Sequence, residues 1–226
     1  MAESLKPWYR QFCKRPCFHD EYLQSFARSN VHLVDTDGQG IEHITSSGIV
    51  ANGIEYPLDC IVFATGFEVG TGYARRAGYE TIGRDGVSLT DYWDDGVRTL
   101  HGIHSVGFPN NFIVSATQGA FTVNYPHLLT EVAQHISYII DQARQQGAEV
   151  VEVTPDAEQA WVDTIIEKAR DGAAFQDACT PGYYNNEGQP SGRATQNTSY
   201  GGGSIAFFKI LDDWRTDGTL AGLTLT

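Results

Sequence analysis

Basic residues are scarce in this 226-residue chain: 15 lysines and arginines stand against 28 aspartates and glutamates, a net charge of −13. A phosphate-rich partner needs clustered cations to neutralise it, so the balance argues against nucleic acid. The acidity serves solubility instead. Long apolar runs are missing too. The opening residues, MAESLKPWYRQF, hold no apolar core of signal-peptide length, and no uncharged apolar run approaches a membrane span, so no membrane partner is expected. Cysteine is sparse, at positions 13, 17, 60 and 179. Cys13 and Cys17 have no second close Cys/His pair at metal spacing, and Cys60 sits in an apolar stretch where it reads as a small core hydrophobe. All four are expected as reduced thiols of a cytoplasmic protein. His19, His32, His43, His101, His104, His127 and His135 show no metal spacing with cysteine or acid partners, so no metal is expected. Ser105, Ser115 and Ser137 lack the G-x-S-x-G elbow of a hydrolase. A convincing glycine-rich phosphate loop is absent as well. GGGSIA at 201–206 fits G-x-G-x-x-A, but TQNTSY before it is no buried strand, and GTGYARRAG at 70–78 fails the spacing.

What is present alternates strand-like and helix-like patterns, an α/β class. HDEYLQSF at 19–26 predicts a short helix with Asp20 as N-cap and Tyr22, Leu23 and Phe26 as its apolar side. Strands are expected at 31–35, 40–45, 48–53 and 54–66, with Asn52-Gly53 as a two-residue hairpin turn. Residues 67–105 are loop-rich, and Phe112 to Ala116 reads as an apolar strand. A long amphipathic helix runs from about Pro126 to Gln146, with Leu129, Val132, Ala133, Ile136, Ile139, Ile140 and Ala143 on its apolar face and Gly147 at its end. A strand at 148–154 and a helix at 154–172 follow, the helix capped by Thr154 and closed by Gly172. A long glycine-, asparagine- and tyrosine-rich loop then leads to a helix at 205–215. Asp94-Asp95 and Asp212-Asp213 read as solvated faces.

The stretch LDCIVFATGFEVG, 58–70, is an apolar run entering Thr65-Gly66. It resembles the Ala-Thr-Gly strand of flavoproteins with two dinucleotide-binding domains. CKRPCFHDEYLQSF (13–26), ATGFEVG, GFPNNFIV and GAFTVNYPHLLTEVAQHISYI follow in the same order as segments of Baeyer–Villiger monooxygenases, FAD- and NADPH-dependent enzymes that insert one oxygen next to a ketone carbonyl. The resemblance covers nearly the whole chain, as the C-terminal portion of such an enzyme. It implies incomplete Rossmann-like domains plus helices: residues 1–66 as the end of the NADP-binding domain with its linker strand, and 67–226 as the C-terminal part of the FAD-binding domain plus a mobile C-terminal loop and helix. The family's FAD loop, NADP loop and FxGxxxHxxxW segment are then expected upstream of Met1, in a missing N-terminal half that is the chain's natural partner.

The same resemblance assigns roles. Arg15 matches the catalytic arginine. Negative charge develops on oxygen twice in this reaction, first on the attacking oxygen and then on the tetrahedral adduct, so a fixed cation there is stabilising. Arginine suits this better than lysine, being always charged and presenting a planar fork of donors. Lys14 matches a residue that meets the 2′-phosphate of NADPH. Thr65, Gly66 and Phe67 would lie beside the cofactor, where glycine lets backbone pass close. Asn124 and Tyr125, just before the long helix, would bring its N-terminus to the flavin pyrimidine. The substrates implied are a ketone and O2. One departure stands out: many family members carry a tryptophan on the loop that covers NADP, where this chain has Cys179-Thr180-Pro181. Two other readings remain open, a non-catalytic fragment or interaction module that cannot hold FAD alone, and a flavin monooxygenase acting on nitrogen or sulfur.

Overall fold

A computed structural model describes residues 2–66, 71–169 and 195–226, and between these 175, 177–182, 184, 185 and 188. The first regular unit is a three-stranded antiparallel sheet of β1 (His43–Ile44), β2 (Gly48–Ala51) and β3 (Ile54–Pro57), in that order. Ala51 pairs with Ile54 across the expected turn, whose Asn52 and Gly53 both take positive φ, 53° and 71°. That pair of left-handed residues matches the right-handed twist of the flanking strands. Gly48 is fixed by crowding: a Cβ there would lie 1.9 Å from the Tyr56 carbonyl oxygen.

Pairing stops at Pro57, and the strand expected through Gly66 does not form. Cys60 is exposed rather than in a core, and Val62 and Phe63 are 82% and 70% exposed. An apolar run of this kind becomes a strand only between neighbouring strands and covering helices, and the described residues supply neither. The segments 31–35 and 112–116 are likewise unpaired by any strand. Ile113 is nonetheless buried, with its N–H bonded to the Ile103 carbonyl at 2.8 Å. The helix expected at 19–26 shrinks to α1 (Tyr22–Ser25), preceded by Glu21 with no side-chain cap, and Tyr22 and Leu23 are exposed.

Residues 71–124 hold two short helices, α2 (Tyr73–Ala77) and α3 (Leu89–Tyr92). The structure then becomes regular. α4 (Tyr125–Gln145) begins one residue before the expected position and ends beside Gly147, φ 70°. Its buried stripe is Leu128, Val132, His135, Ile139 and Ala143. This stripe is rotated from the predicted one and carries a histidine, while Leu129, Ala133 and Ile140 are exposed. β4 (Val151–Val153) leads through the Thr154 cap, whose hydroxyl accepts from the Ala157 N–H, into α5 (Pro155–Lys168). The expected end at Gly172 lies outside the described residues, and the helix stops at Lys168. α6 (Ser204–Asp217) closes at Gly218, φ 70°. A final strand that sequence reasoning missed, β5 (Leu223–Leu225), pairs antiparallel with β4.

The main core joins α4, α5, α6 and the β4–β5 pair through Leu128, Ile139, Val153, Ile165, Phe207 and Leu211. A smaller cluster of Leu89, Phe108 and Ile113 packs with Tyr73, Tyr92 and Trp93. Neither takes a residue from the first 66 positions. No helix among the described residues is long and apolar enough to cross a membrane.

His101, His104 and His135 are buried. The His101 Nδ1 lies 3.1 Å from the His135 Nε2, and Trp214 packs edge-on against both rings. Burial disfavours the charged imidazolium, so these groups sit well below their usual value of 6.5: His101 and His104 at about 4 and His135 at about 3. In the unfolded chain each takes a proton near 6.5, so between there and pH 3–4 the unfolded state binds more protons. Stability is therefore whole above that window and falls as the pH drops through it, by about 1.4 kcal/mol per pH unit for each histidine. His104→Leu, which replaces a ring only 1% exposed, should remove one histidine's share of the slope. Urea unfolding of the chain from pH 7 to 4 checks this; a slope untouched by His104→Leu would contradict it.

Candidate functional site

The segment with Lys14 and Arg15 is irregular and held by side chains. Cys13 is buried and forms a disulfide with Cys179, 166 residues away, with Cα atoms 5.2 Å apart. This corrects the expectation of four reduced thiols: Cys17 and Cys60 are free, but a partner so distant in sequence leaves no trace in cysteine spacing. The Lys14 ammonium donates to the Pro181 carbonyl at 3.4 Å and lies 5.5 Å from the Tyr9 ring centre. Arg10 stacks over Phe175 at 4.6 Å. Arg15, whose backbone is restricted by Pro16, is exposed, and its guanidinium has no ion pair or hydrogen bond among the described residues.

Thr65 and Gly66 are exposed. Gly66 takes φ 97°, a conformation other residues rarely adopt, and a Cβ there would meet nothing within 4 Å. Phe67 lies outside the described residues. Asn124 caps α4: its Oδ1 accepts from the His127 N–H at 3.3 Å. Pro126 has no N–H and the Leu128 N–H bonds to the Asn124 carbonyl, so in this first turn the Tyr125 N–H is the donor left for a ligand, beside the helix dipole. No hydrogen bond or ion pair among the described residues links Lys14 or Arg15 to Thr65, Gly66, Asn124 or Tyr125. All six are exposed, so the chain presents these groups on open surface rather than in a closed cleft.

Two buried polar side chains, missed in the sequence, shape the loops that lead to α4. Glu158 accepts from the Tyr92 hydroxyl at 2.6 Å, the Val106 N–H at 2.8 Å and Arg98 Nε at 3.4 Å. Burial and the bonded carboxylate raise the Tyr92 hydroxyl above its ordinary pKa. Gln118, fully buried at φ 56°, donates to the Val97 and Gln196 carbonyls and accepts from Thr99, while its own carbonyl takes the Trp161 indole N–H. The only sequence signal for Glu158 was its place one turn into a helix, where acids are ordinary. Among the described residues no three His, Cys, Asp or Glu side chains meet as a metal site.

This arrangement offers two exposed cations, neither neutralised by a carboxylate among the described residues, and a helix N-terminus that accepts negative charge. Such groups hold anions. Comparison with known proteins gives the arrangement a context. The chain is 52% identical over 226 residues to pentalenolactone D synthase of Streptomyces exfoliatus, covering 99% of this chain and 39% of that protein. It is 49% identical over 218 residues to a Baeyer–Villiger monooxygenase of Streptomyces coelicolor, covering 96% and 36%. Among solved structures, the polycyclic ketone monooxygenase of Thermothelomyces thermophila superimposes with TM-score 0.88 at 39% identity, covering 100% of this chain and 37% of that one. The chain thus spans under two-fifths of the length of each of these proteins. No family model matches it.

The cap on α4 yields a local prediction. Asn124→Ala should cost the chain about 1 kcal/mol in urea unfolding, and Asn124→Asp should restore most of it. An Ala variant as stable as the parent would mean the cap contributes nothing.

Proposed function

From a chain homologous over its whole length to part of the Baeyer–Villiger monooxygenases, we propose that it is the C-terminal portion of an enzyme that uses NADPH and O2 to insert oxygen next to a ketone carbonyl. Residues 1–66 would end the NADP-binding domain and 67–226 would complete the FAD-binding domain. FAD, when bound, supplies the electrons that activate O2, and NADPH supplies the hydride. The observation that carries the reading is the 52% identity spanning 226 residues, joined to a guanidinium at position 15 that no described carboxylate neutralises.

The residues present fit these groups. Arg15 keeps a permanent positive charge where negative charge collects on oxygen in the oxygen-transfer step, and its planar fork orients the acceptor. A carboxylate bound to it would have cancelled that charge. Lys14 is held by a carbonyl and an aromatic face, both neutral, so its charge stays available to a phosphate. Gly66 lets backbone approach a flat ring system, with Thr65 alongside. The Tyr125 N–H and the dipole of α4 favour an anionic edge at the Asn124 turn.

One set of observations favours the second reading for the chain taken alone, that of a module unable to hold flavin. Val62, Phe63, Val123 and Ile205 are 82%, 70%, 93% and 84% exposed, the first three within three residues of the proposed cofactor residues Thr65 and Asn124. α4 also leaves Leu129 and Ile140 uncovered. Surface of this kind marks a face that further polypeptide covers. Titrating FAD into the purified chain separates the readings: tight binding by the chain alone would defeat the module reading.

In the FAD-loaded full-length protein, Arg15→Ala should lower ketone oxygenation by about a hundredfold or more. Flavin reduction by NADPH should persist. Lys14→Ala should raise the KM for NADPH about tenfold and leave NADH nearly unaffected. Undiminished oxygenation by Arg15→Ala would remove Arg15 from its role. Offering a ketone and a sulfide together tests the nitrogen- or sulfur-oxidising alternative: sulfoxide without ester would favour it.

A further inference from the structure

We infer that the Cys13–Cys179 bridge is a positioning device for Lys14, setting the ammonium in place for the extra phosphate that distinguishes NADPH from NADH. The inference rests on the reading of Lys14 above.

Among the described residues, segments about 166 residues apart in sequence meet here through the bridge, the Lys14 bond to the Pro181 carbonyl and the stacking of Arg10 on Phe175. The bridge is covalent and adjoins Lys14 directly. The Lys14 contact is a single exposed hydrogen bond at 3.4 Å. An exposed bond of that length competes with water and cannot by itself hold two distant segments together. The bridge is what makes it persist.

The far side of the contact is preformed. Asn185, nine-tenths buried, accepts from the Gly182 N–H at 2.9 Å and the Gly188 N–H at 3.1 Å, and donates to the Thr180 carbonyl at 3.2 Å. These bonds fix the course of the backbone that carries the Pro181 carbonyl. Cys179 anchors this turn to Cys13, so the carbonyl reaches Lys14 as a rigid acceptor. Gly182 lies against the lysine as well: a Cβ there would stand 3.7 Å from the Lys14 Nζ, an ordinary contact distance.

A lysine is a point charge on a flexible stem, and ordering it opposes binding. Here the stem is ordered before a ligand arrives, by groups that leave its charge intact. Preorganisation of this kind raises affinity without adding a contact. It acts only on the phosphate contact assigned to Lys14, so bridge loss should weaken NADPH and spare NADH.

The test uses the FAD-loaded full-length protein. Alkylation without reductant, read by mass spectrometry, should label Cys17 and Cys60 and leave Cys13 and Cys179 unlabelled. Dithiothreitol, which gives two electrons and two protons to the bridge and itself closes to a cyclic disulfide, should expose both thiols. Reduced wild type and Cys179→Ser should each bind NADPH roughly fivefold more weakly, with NADH affinity and the limiting rate of flavin reduction unchanged. In a Lys14→Ala background, loss of the bridge should add no further weakening. The reduced wild type keeps the test decisive if the serine variant fails to fold. Labelling of all four cysteines before reduction, equal weakening of NADPH and NADH, or additive losses with Lys14→Ala would each overturn the inference. If Lys14→Ala weakens NADPH but bridge loss does not, the bridge assignment alone fails. If Lys14→Ala binds NADPH normally, the reading of Lys14 fails and the inference goes with it.

Discussion

A buried carboxylate holds the loop between Tyr92 and Val106 to helix α5. Backbone without helix or strand must still pair its N–H and C=O groups once water is excluded. Glu158 meets that constraint from one turn inside α5, taking a tyrosine hydroxyl, a backbone N–H and the Arg98 guanidinium on one carboxylate. Arg98 also donates to Gln159, the next residue of the same helix. Gln118 completes the arrangement by pinning backbone near 97 and 196 to the turn before α4. Loss of either would leave several buried polar groups unpaired together, a cost well above that of one hydrogen bond. Gln118 lies six residues before Asn124, so this scaffold leads into the first turn of α4.

How much of this the sequence revealed varies with the range of the interaction. The Asn52-Gly53 turn, the Thr154 cap with Pro155 behind it and the glycine ending α4 are written in adjacent residues, and each stands where expected. Strands whose partners are far away or absent were overread. The run from Leu58 to Gly66 has a strand's composition, but composition cannot supply neighbours. The converse miss is β5, whose short Leu-Thr-Leu carries little signal until Val151–Val153 is known to lie beside it. The α4 stripe was turned because a histidine was not counted among core residues. His135 is buried as a neutral ring against Trp214, which hydropathy alone does not anticipate.

The candidate site divides in the same way. Lys14, Arg15, Thr65, Gly66, Asn124 and Tyr125 were reached through resemblance to a family, and the structure adds the state of each group: exposed, with Lys14 and Arg15 paired to no carboxylate and no hydrogen bond or ion pair joining either of them to the other four among the described residues. In a chain of net charge −13, two adjacent cations without acidic partners among the described residues are a departure from the surroundings. The disulfide was invisible because its cysteines have unrelated sequence neighbourhoods. Its consequence is local even so, since it joins the residue before Lys14 to the turn that supplies the lysine's acceptor.

The central claim is that Arg15 faces a flavin that polypeptide outside this chain largely binds. A crystal structure of the full-length protein with FAD and NADP+ bound tests it most directly. The account predicts the Arg15 guanidinium against the flavin ring, with Gly66 and the Asn124 turn lining the same cavity. Arg15 directed into bulk solvent, with no room for a ring system beside it, would contradict the account.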